Sequence, residues 1–420
     1  MFILYNLAFL IFAIIWLPVY LFRGKFHKGF SARLGKLPAN LNLDRPIWIH
    51  AVSVGEAASV AGLAEELRRL YPDKKFVIST VTATGNKIAK RIAKEGDLVT
   101  YLPLDLSWIV RSTIDRINPS IFIIAETEIW PNLIRYLRKK NIPVITVNGR
   151  ISDKSFKGYL GIKLLIKPVL EKVSLFCVQS ERDAERFKAL GVAAEKVKVT
   201  GNMKFDIFGK VTVESGQDYR SMLRIKTDEK LLVAASTHPK EERIILDVYK
   251  ELSTKFSGLR LLIAPRHPER AHEIFGLIKR SGFNSARISR IIREPPKDRR
   301  TIFILDTIGQ LLNFYSICDI VFVGGSLIKK GGHNILEPAA LARPVIFGPN
   351  MFNFRDITEL FLLNRAAIMV HNDLELTENI EGLLKDPAKA KELGEAGRRL
   401  IQQNQGATLK NAHEISLLFT

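Results

Sequence analysis

From Ile47 onward, short unbroken runs of Val, Ile and other apolar residues alternate with longer stretches whose apolar positions recur every three or four residues. The runs at 47–54, 75–82, 98–104, 120–126, 143–148, 174–179 and 196–200 predict strands, and the stretches at 57–70, 84–94, 107–117, 130–140 and 181–190 predict amphipathic helices. Strands that are apolar throughout, not at every second position, are covered on both faces, as in a parallel sheet flanked by helices. Residues 205–228 break the rhythm with a polar, mixed segment that reads as an interdomain connection. The alternation then resumes, with strands predicted near 230–236, 259–264, 301–305, 319–323, 344–347 and 366–370, while 374–418 reads as helical throughout. The Arg- and Pro-rich stretch 284–300 reads as an exposed loop. The pattern predicts an α/β protein with two doubly wound, Rossmann-like parallel-sheet domains at 45–204 and 229–390, a linker at 205–228 and C-terminal helices over 391–420. Such sheets bind ligands outside the carboxyl ends of their strands, and two such edges facing each other imply a ligand cleft.

The segment before Ile47 follows another rule. Phe2 to Phe22 contains no charged residue and is long enough to cross a hydrocarbon core. It lacks the basic start and small-residue cleavage site of a signal peptide. Arg23, Lys25, Lys28, Arg33 and Lys36 follow, and the first acidic residue of the chain is Asp44. This asymmetry predicts a membrane-anchor helix over 1–22 and a basic juxtamembrane segment over 23–44 lying on anionic lipid, with the rest of the chain cytoplasmic. A hydrophobic helix lying flat in the interface is the alternative. The net charge of +20 points to nucleic acid, an anionic membrane or an anionic substrate as partner. No RRM consensus or zinc-finger spacing is present, which leaves the membrane and a phosphorylated substrate. The two cysteines, Cys177 and Cys318, lie inside apolar runs, so a disulfide framework is excluded and they read as small core hydrophobes.

The predicted strand ends carry the polar, Gly-containing motifs. In "HAVSVGE" the order Ser53-Val54-Gly55-Glu56 is a capping box: Ser53 accepts from the N–H three residues on, and Glu56 reaches back to the Ser53 N–H. A carboxylate at a strand–helix junction can equally take a proton. In "AETEIWPN", Glu126 and Glu128 fall on one side if the strand continues, an arrangement that is costly without a cation or a proton. "NGR" brings Arg150 to another strand end, and "TGNMKFD" brings Lys204, which suits an anionic substrate group or reads as a solvated surface lysine. In the second half, Ser236 of "STHP" reads chiefly as the cap of the next helix, with phosphate contact as the other role. Arg266 in "APRHPER" lies just past a strand end, where a guanidinium fork suits a phosphate. In "GGSLIKKGGHNILEP", Gly324, Gly325 and Ser326 end a strand, and Gly331 and Gly332 precede a helix start whose free N–H groups suit a phosphate. Asn334 and Glu337 then share a face one turn apart, and such a carboxylate can accept from both hydroxyls of a ribose. No G-x-G-x-x-G, D-x-D or metal-spaced His/Cys cluster occurs, so neither a nicotinamide cofactor nor a metal is expected.

Taken in order, "HAVSVGE", "STVTATG", "AETEIWPN", "TGNMKFD", "APRHPER" and "VGGSLIKKGGHNILEPAA" resemble the Kdo transferases, the 3-deoxy-D-manno-oct-2-ulosonic acid transferases of Gram-negative bacteria. The resemblance runs from the N-terminal segment to past residue 350. It implies a GT-B fold and transfer of Kdo from CMP-Kdo to a lipid A precursor, lipid IVA, in lipopolysaccharide core biosynthesis. The reaction would proceed at the cytoplasmic face of the inner membrane, with inversion and without a metal or other cofactor. It further implies that Glu56 is the proton acceptor, that Glu126 and Lys204 stabilise the transition state, and that Pro265 and Arg266 contact CMP. Ile308, Gly309 and Gln310 form a second implied CMP contact, and Asn334, Ile335, Leu336 and Glu337 a third. One departure bears on the local turn: a glycine is expected before the Glu-Glu pair after "STH", and this chain has Pro239-Lys240 before Glu241. On the residues alone the alternatives are another lipid-directed GT-B glycosyltransferase, a nucleotide-sugar epimerase, or a non-catalytic, membrane-tethered nucleotide-binding protein.

Overall fold

The computed structural model describes residues 5–7, 9–11, 14–15, 29–208, 219–296 and 298–419. The chain forms two compact units, one of Met1–Ile207 with Asn404–Thr420 and one of Phe208–Gln403.

In the first unit, β1 (Ile47–His50), β2 (Phe76–Thr80), β3 (Leu98–Tyr101), β4 (Ile121–Ala125), β5 (Val144–Gly149), β6 (Leu175–Val178) and β7 (Val197–Val199) form a parallel sheet in the order β3-β2-β1-β4-β5-β6-β7. The unbroken apolar runs are explained by the pleat. Ile47, Ile49, Ile121, Ile123 and Val147 enter the core on one face, while Trp48, Phe122, Ile124 and Val144 enter the core on the other. Trp48 is fully buried, edge-on to Phe122 with centroids 4.8 Å apart, and its indole N–H donates to the Ser79 hydroxyl at 2.8 Å. Burying a ring of that size removes about 200 Å² from water and contributes on the order of 5 kcal/mol before the entropy of ordering it. The helix predicted over 57–70 is two helices, Val54–Ser59 and Ala61–Leu70, that meet at Val60.

The second unit repeats the architecture with β8 (Lys230–Thr237), β9 (Leu259–Pro265), β10 (Ser285–Arg287), β11 (Ile302–Ile304), β12 (Ile320–Val323), β13 (Val345–Phe347) and β14 (Ile368–Met369), all parallel, in the order β10-β11-β9-β8-β12-β13-β14. The reading of 284–300 as loop is corrected here. Ser285–Arg287 pairs with Ile302–Ile304 as an edge strand, and Ile288–Arg290 adds a turn of 3-10 helix. An edge strand of three residues carries too few apolar positions to stand out among arginines. Both sheets reverse their strand order once near the middle, between β1 and β4 in the first and between β8 and β12 in the second. In open parallel sheets such reversal points are where ligands settle.

The chain end also differs from expectation. Helix Pro387–Gln403 belongs to the second unit, which therefore runs past residue 390, and 404–420 returns to the first. Asp206 makes that return specific, because its carboxylate accepts from the Gly406 and Thr408 N–H groups, each at 2.6 Å, at the start of helix Ala407–Ser416. Asn411 donates to the Thr200 hydroxyl at 3.0 Å, and Ala407, Ala412 and Ile415 pack into the core with Ile47 and Ile49. Part of the predicted linker is helical, at Lys204–Phe208 and Tyr219–Met222, and 209–218 lies outside the described residues.

The predicted anchor over 1–22 lies largely outside the described residues; of these, 5–7, 9–11 and 14–15 are helical. Tyr5 donates to Asp105 at 2.9 Å and Asn6 to the Ser107 hydroxyl at 2.7 Å. Among the described residues no helix is long and apolar enough to cross a membrane.

Removing the Asp206 carboxylate leaves two N-terminal helix donors without their acceptor. Asp206→Ala is expected to lower stability in urea unfolding by about 2 kcal/mol. Hydrogen exchange is expected to rise selectively at the amides of 406–410.

Candidate active site

At the reversal point of the first sheet, β1 is followed by Glu56 and β4 by Glu126. Ser53 caps helix Val54–Ser59, and its hydroxyl donates to Glu56 Oε1 at 2.8 Å while accepting the Glu56 N–H at 3.4 Å. The returning bond differs from the expected capping box, because Glu56 Oε2 accepts from the Val52 N–H at 2.8 Å and not from Ser53 N–H. Gly55 has open space around it. The carboxylate is held by two donors and retains lone pairs for a third partner.

Strand β4 stops at Ala125, and Glu126 takes a left-handed φ of 57°. The strand therefore does not continue through Glu128, and alternation along it is not what brings the two carboxylates together. The turn does so instead: Glu56, Glu126, Glu128, Arg150, Ser152 and Tyr159 line one cavity of about 180 Å³. Thr127 ties the loops after β4 and β5 together, donating to the Arg150 carbonyl and accepting its N–H. Lys204 Nζ bonds Glu126 Oε1 at 3.0 Å, with both side chains about one-fifth exposed. Its backbone is set by a polar relay. Asn148, itself at φ 53°, accepts the Met203 N–H at 3.0 Å, and Asn202 accepts the Lys204 N–H at 3.0 Å.

Burial pushes the Glu56 carboxyl up from its ordinary range and the charge of Glu126 adds to this, while the Val52 N–H, Ser53 and Lys204 pull it back. Burial drives Glu128 further, to about 7, reinforced by Glu56 and Glu126. The paired carboxylates are thus relieved in two ways, Glu126 by a cation and Glu128 by a proton affinity raised to about 7. His50, beneath this edge, is fully buried with Nδ1 3.0 Å from the Ser79 carbonyl oxygen, and burial lowers it to about 3. It is a neutral core residue.

In the second unit the reversal point is organised by Glu241, which is fully buried. It accepts four backbone N–H bonds, from Gly325 at 2.7 Å, Ser326 and Leu327 at 3.0 Å each, and His238 at 3.1 Å. These bonds shape the turn after β12, where Gly325 has φ 67° and a Cβ on Gly324 would collide with the β8 backbone at 2.8 Å. Glu242 accepts from the Thr237 hydroxyl at 3.0 Å and from Arg270 at 2.7 Å. Ser236 does not cap the next helix. It sits inside β8 at φ 54°, and Lys240 occupies the cap position of Glu241–Lys255. Ser326 is also fully enclosed, its hydroxyl donating to the Val323 carbonyl and accepting the Gly348 N–H at 2.8 Å.

Pro265 ends β9, and Arg266, exposed, donates its N–H to the Thr237 carbonyl at 3.0 Å. Ile308 is 88% exposed, and Gly309 at φ 87° has open space beside it, while Gln310 accepts from Thr307. Asn334 donates to Glu337 at 3.1 Å, in line with the shared face, and accepts the Leu336 N–H at 3.1 Å just ahead of helix Leu336–Ala340, whose cap position is Ile335. Ile335 and Leu336 are fully buried, so they offer a ligand only their backbone. Among the described residues no group of three His, Cys, Asp or Glu side chains is placed to hold a metal ion.

Residues 28–207 match the family described as 3-deoxy-D-manno-octulosonic-acid transferase (kdotransferase), and residues 217–400 match glycosyl transferases group 1. The 3-deoxy-D-manno-octulosonic acid transferase of Haemophilus influenzae is 36% identical over 363 residues, 86% of this chain and 84% of that protein. This chain belongs to the Kdo transferase family. It is a glycosyltransferase. A glycosyltransferase from Rickettsia africae has the same fold, with a TM-score of 0.58 at 16% identity, over 89% of this chain and 98% of that one. So does UDP-GlcNAc 2-epimerase from Neisseria meningitidis, with a TM-score of 0.59 at 13% identity, over 89% and 99%. These two likenesses concern the fold alone.

Ser152 and Tyr159 of the Kdo transferase cavity carried no sequence signal, because the helix Asp153–Gly161 that follows Ser152 has no motif. His238 and His333 were visible inside "STHP" and "GGHN" but had nothing to join them. The missing glycine before Glu241 now has a physical meaning. Lys240 adopts φ 85°, a conformation that suits glycine, and the turn closes regardless through the Glu241 N–H to His238 carbonyl bond at 3.1 Å. A non-glycine residue held there costs about 1–3 kcal/mol, which exceeds the 0.5–1 kcal/mol entropic cost of glycine. Lys240→Gly is therefore expected to stabilise the second unit by about 1 kcal/mol in thermal or urea unfolding.

Glu128 yields a pH-dependent expectation. Its carboxyl is raised from 4.5 to about 7, so the folded state binds the proton more tightly and loses stability as pH rises through that interval. Glutamine never ionises. Glu128→Gln is expected to have a higher Tm than the parent at pH 8, with the difference vanishing near pH 4.5.

Proposed function

We propose that this chain transfers Kdo from CMP-Kdo to a lipid A precursor, with inversion and without a metal, using Glu56 as general base. The observation that carries this reading is the Glu56 carboxylate, fixed at the reversal point of the first sheet and opening on the same cavity as Glu126, which Lys204 pairs at 3.0 Å. A sugar hydroxyl is a weak nucleophile and must lose its proton as it attacks. Glu56 has spare lone pairs to take that proton, and its raised carboxyl brings it toward the working pH. In a single displacement the hydroxyl oxygen bonds the anomeric carbon as the bond to the CMP phosphate breaks, which inverts the centre. Lys204, held by Glu126, supplies positive charge beside the reacting sugar. The second unit takes the nucleotide. Arg266 meets the phosphate, the exposed loop at Ile308–Gln310 meets the base or phosphate, and Glu337, oriented by Asn334, accepts from the ribose hydroxyls. No D-x-D motif is present to clamp a metal–diphosphate. The apolar segment 1–22 and the basic residues after it hold the enzyme on the cytoplasmic face of the inner membrane, beside a bisphosphorylated acceptor.

Purified protein incubated with CMP-Kdo and a tetraacyl lipid A precursor is expected to release CMP and to increase the product mass by whole Kdo units, with UDP-GlcNAc inert in place of the donor. Absence of CMP release would remove the assignment. Glu56→Gln can keep the Val52 N–H bond through its single oxygen and meet Ser53 with the bond reversed, its amide donating to the hydroxyl, but it cannot take a proton. Its kcat is expected to fall at least ~100-fold, with KM and unfolding midpoint nearly unchanged. Full turnover by that variant would return Glu56 to a capping role.

A further inference from the structure

Two imidazoles meet at the reversal point of the second sheet. His238 follows β8 and His333 lies in the turn after β12, and their Nε2 atoms are 2.8 Å apart with the rings nearly parallel at 7°. At that distance one nitrogen carries a hydrogen and the other a lone pair, so the two rings titrate as one unit. His267, after β9, stands edge-on to His238 with centroids 6.1 Å apart. The groups that face the pair are mostly cationic: Arg266 and Arg270 beyond β9, and Lys330 in the turn after β12. The carboxylates of the adjoining helix are already engaged, Glu241 by four amides and Glu242 by Arg270 and Thr237. Arg270 is balanced by Glu242 and Glu273, and Glu269 lies 3.4 Å from His267, which leaves Arg266 and Lys330 beside the two rings with no carboxylate partner among the described residues.

We propose that the His238–His333 pair is a proton-binding element for the donor's phosphate: the pair takes up one proton when the nucleotide phosphate enters and presents it to the departing phosphate oxygen. The proposal rests on the reading that this unit binds a CMP-activated sugar.

Burial and the surrounding cations hold both rings below the usual histidine range, His333 at about 4, so the pair is neutral in the free protein at pH 7. A bound phosphate offsets those cations and raises the proton affinity of the pair. During transfer, the bond between the anomeric carbon and the phosphate oxygen breaks with its electron pair going to that oxygen. The phosphodiester monoanion thereby becomes a monoester bearing a second charge. The acceptor hydroxyl forms the new carbon–oxygen bond, and its proton passes to Glu56. The proton on the imidazole pair hydrogen-bonds or transfers to the new phosphate oxygen and returns to solvent with or after CMP. Charge builds and is matched in one place, with no further reactant.

The test is calorimetric titration of the full-length protein with CMP between pH 7 and 8.5, in buffers of different ionisation enthalpy. The phosphate of CMP is largely dianionic there, so proton exchange reports the protein. The parent is expected to take up close to one proton per CMP bound, and its affinity is expected to fall several-fold per pH unit. His238→Gln and His333→Gln are each expected to abolish the uptake and flatten the pH profile, while His267→Gln retains both. Circular dichroism of each variant separates a folding defect from loss of linkage, and the parent measurement stands without any variant. CMP binding without proton uptake, or uptake that persists in both His238 and His333 variants, overturns the proposal. Failure of the parent to bind CMP at all overturns the nucleotide-site reading instead.

Discussion

Where the strand order of a parallel sheet reverses, neighbouring strands send their chains to opposite faces, and the carboxyl ends between them are left uncovered by any crossover. Polar groups brought to such a place are partly shut off from water and must find partners in the protein or in a ligand. Both units meet this constraint with a glutamate in the first turn after a central strand. The outcomes differ because the donors differ in number. Glu241 receives four amides and is wholly enclosed, so its bonding capacity is spent on shaping the turn after β12. Glu56 receives one amide and one hydroxyl and borders a cavity, so it retains capacity for chemistry. The same side chain is wholly engaged in one unit and keeps free acceptor capacity in the other.

Electrostatics divide the work in a similar way. Around Glu56 the charges are carboxylates, relieved by Lys204 on Glu126 and by the raised proton affinity of Glu128. That environment raises the proton affinity of Glu56. Around His238 and His333 the charges are guanidinium and ammonium groups, which favour an incoming anion. The fold thus keeps two opposite electrostatic surroundings on separate sheets.

The departure at Lys240 illustrates how strongly the turn is determined by its bonds. Four amides converge on one carboxylate, and their combined worth outweighs the strain of a lysine at φ 85°. The backbone holds its shape and the side chain bears the cost. The return of helix Ala407–Ser416 to the first unit is fixed in the same manner, by the Asp206 carboxylate at its start and apolar packing along its length.

Much of this was written in local chemistry. Unbroken apolar runs imply strands covered on both faces, and that alone requires parallel sheets flanked by helices. Capping residues and glycines mark where each run stops, so Glu56, Lys204 and Arg266 are legible from sequence as strand-end residues. The family followed from the order of those ends. What no local rule contains is the meeting of distant segments. The short edge strand Ser285–Arg287 exists only because Ile302–Ile304 is beside it. The left-handed turn at Glu126, not strand alternation, puts Glu128 into the Glu56 cavity. His238 and His333 are separated by 95 residues and became a pair only when β12 was laid beside β8. Propensity and patterning act over one turn or one pleat, whereas the proton affinity of a side chain depends on whichever charges the sheet order places around it.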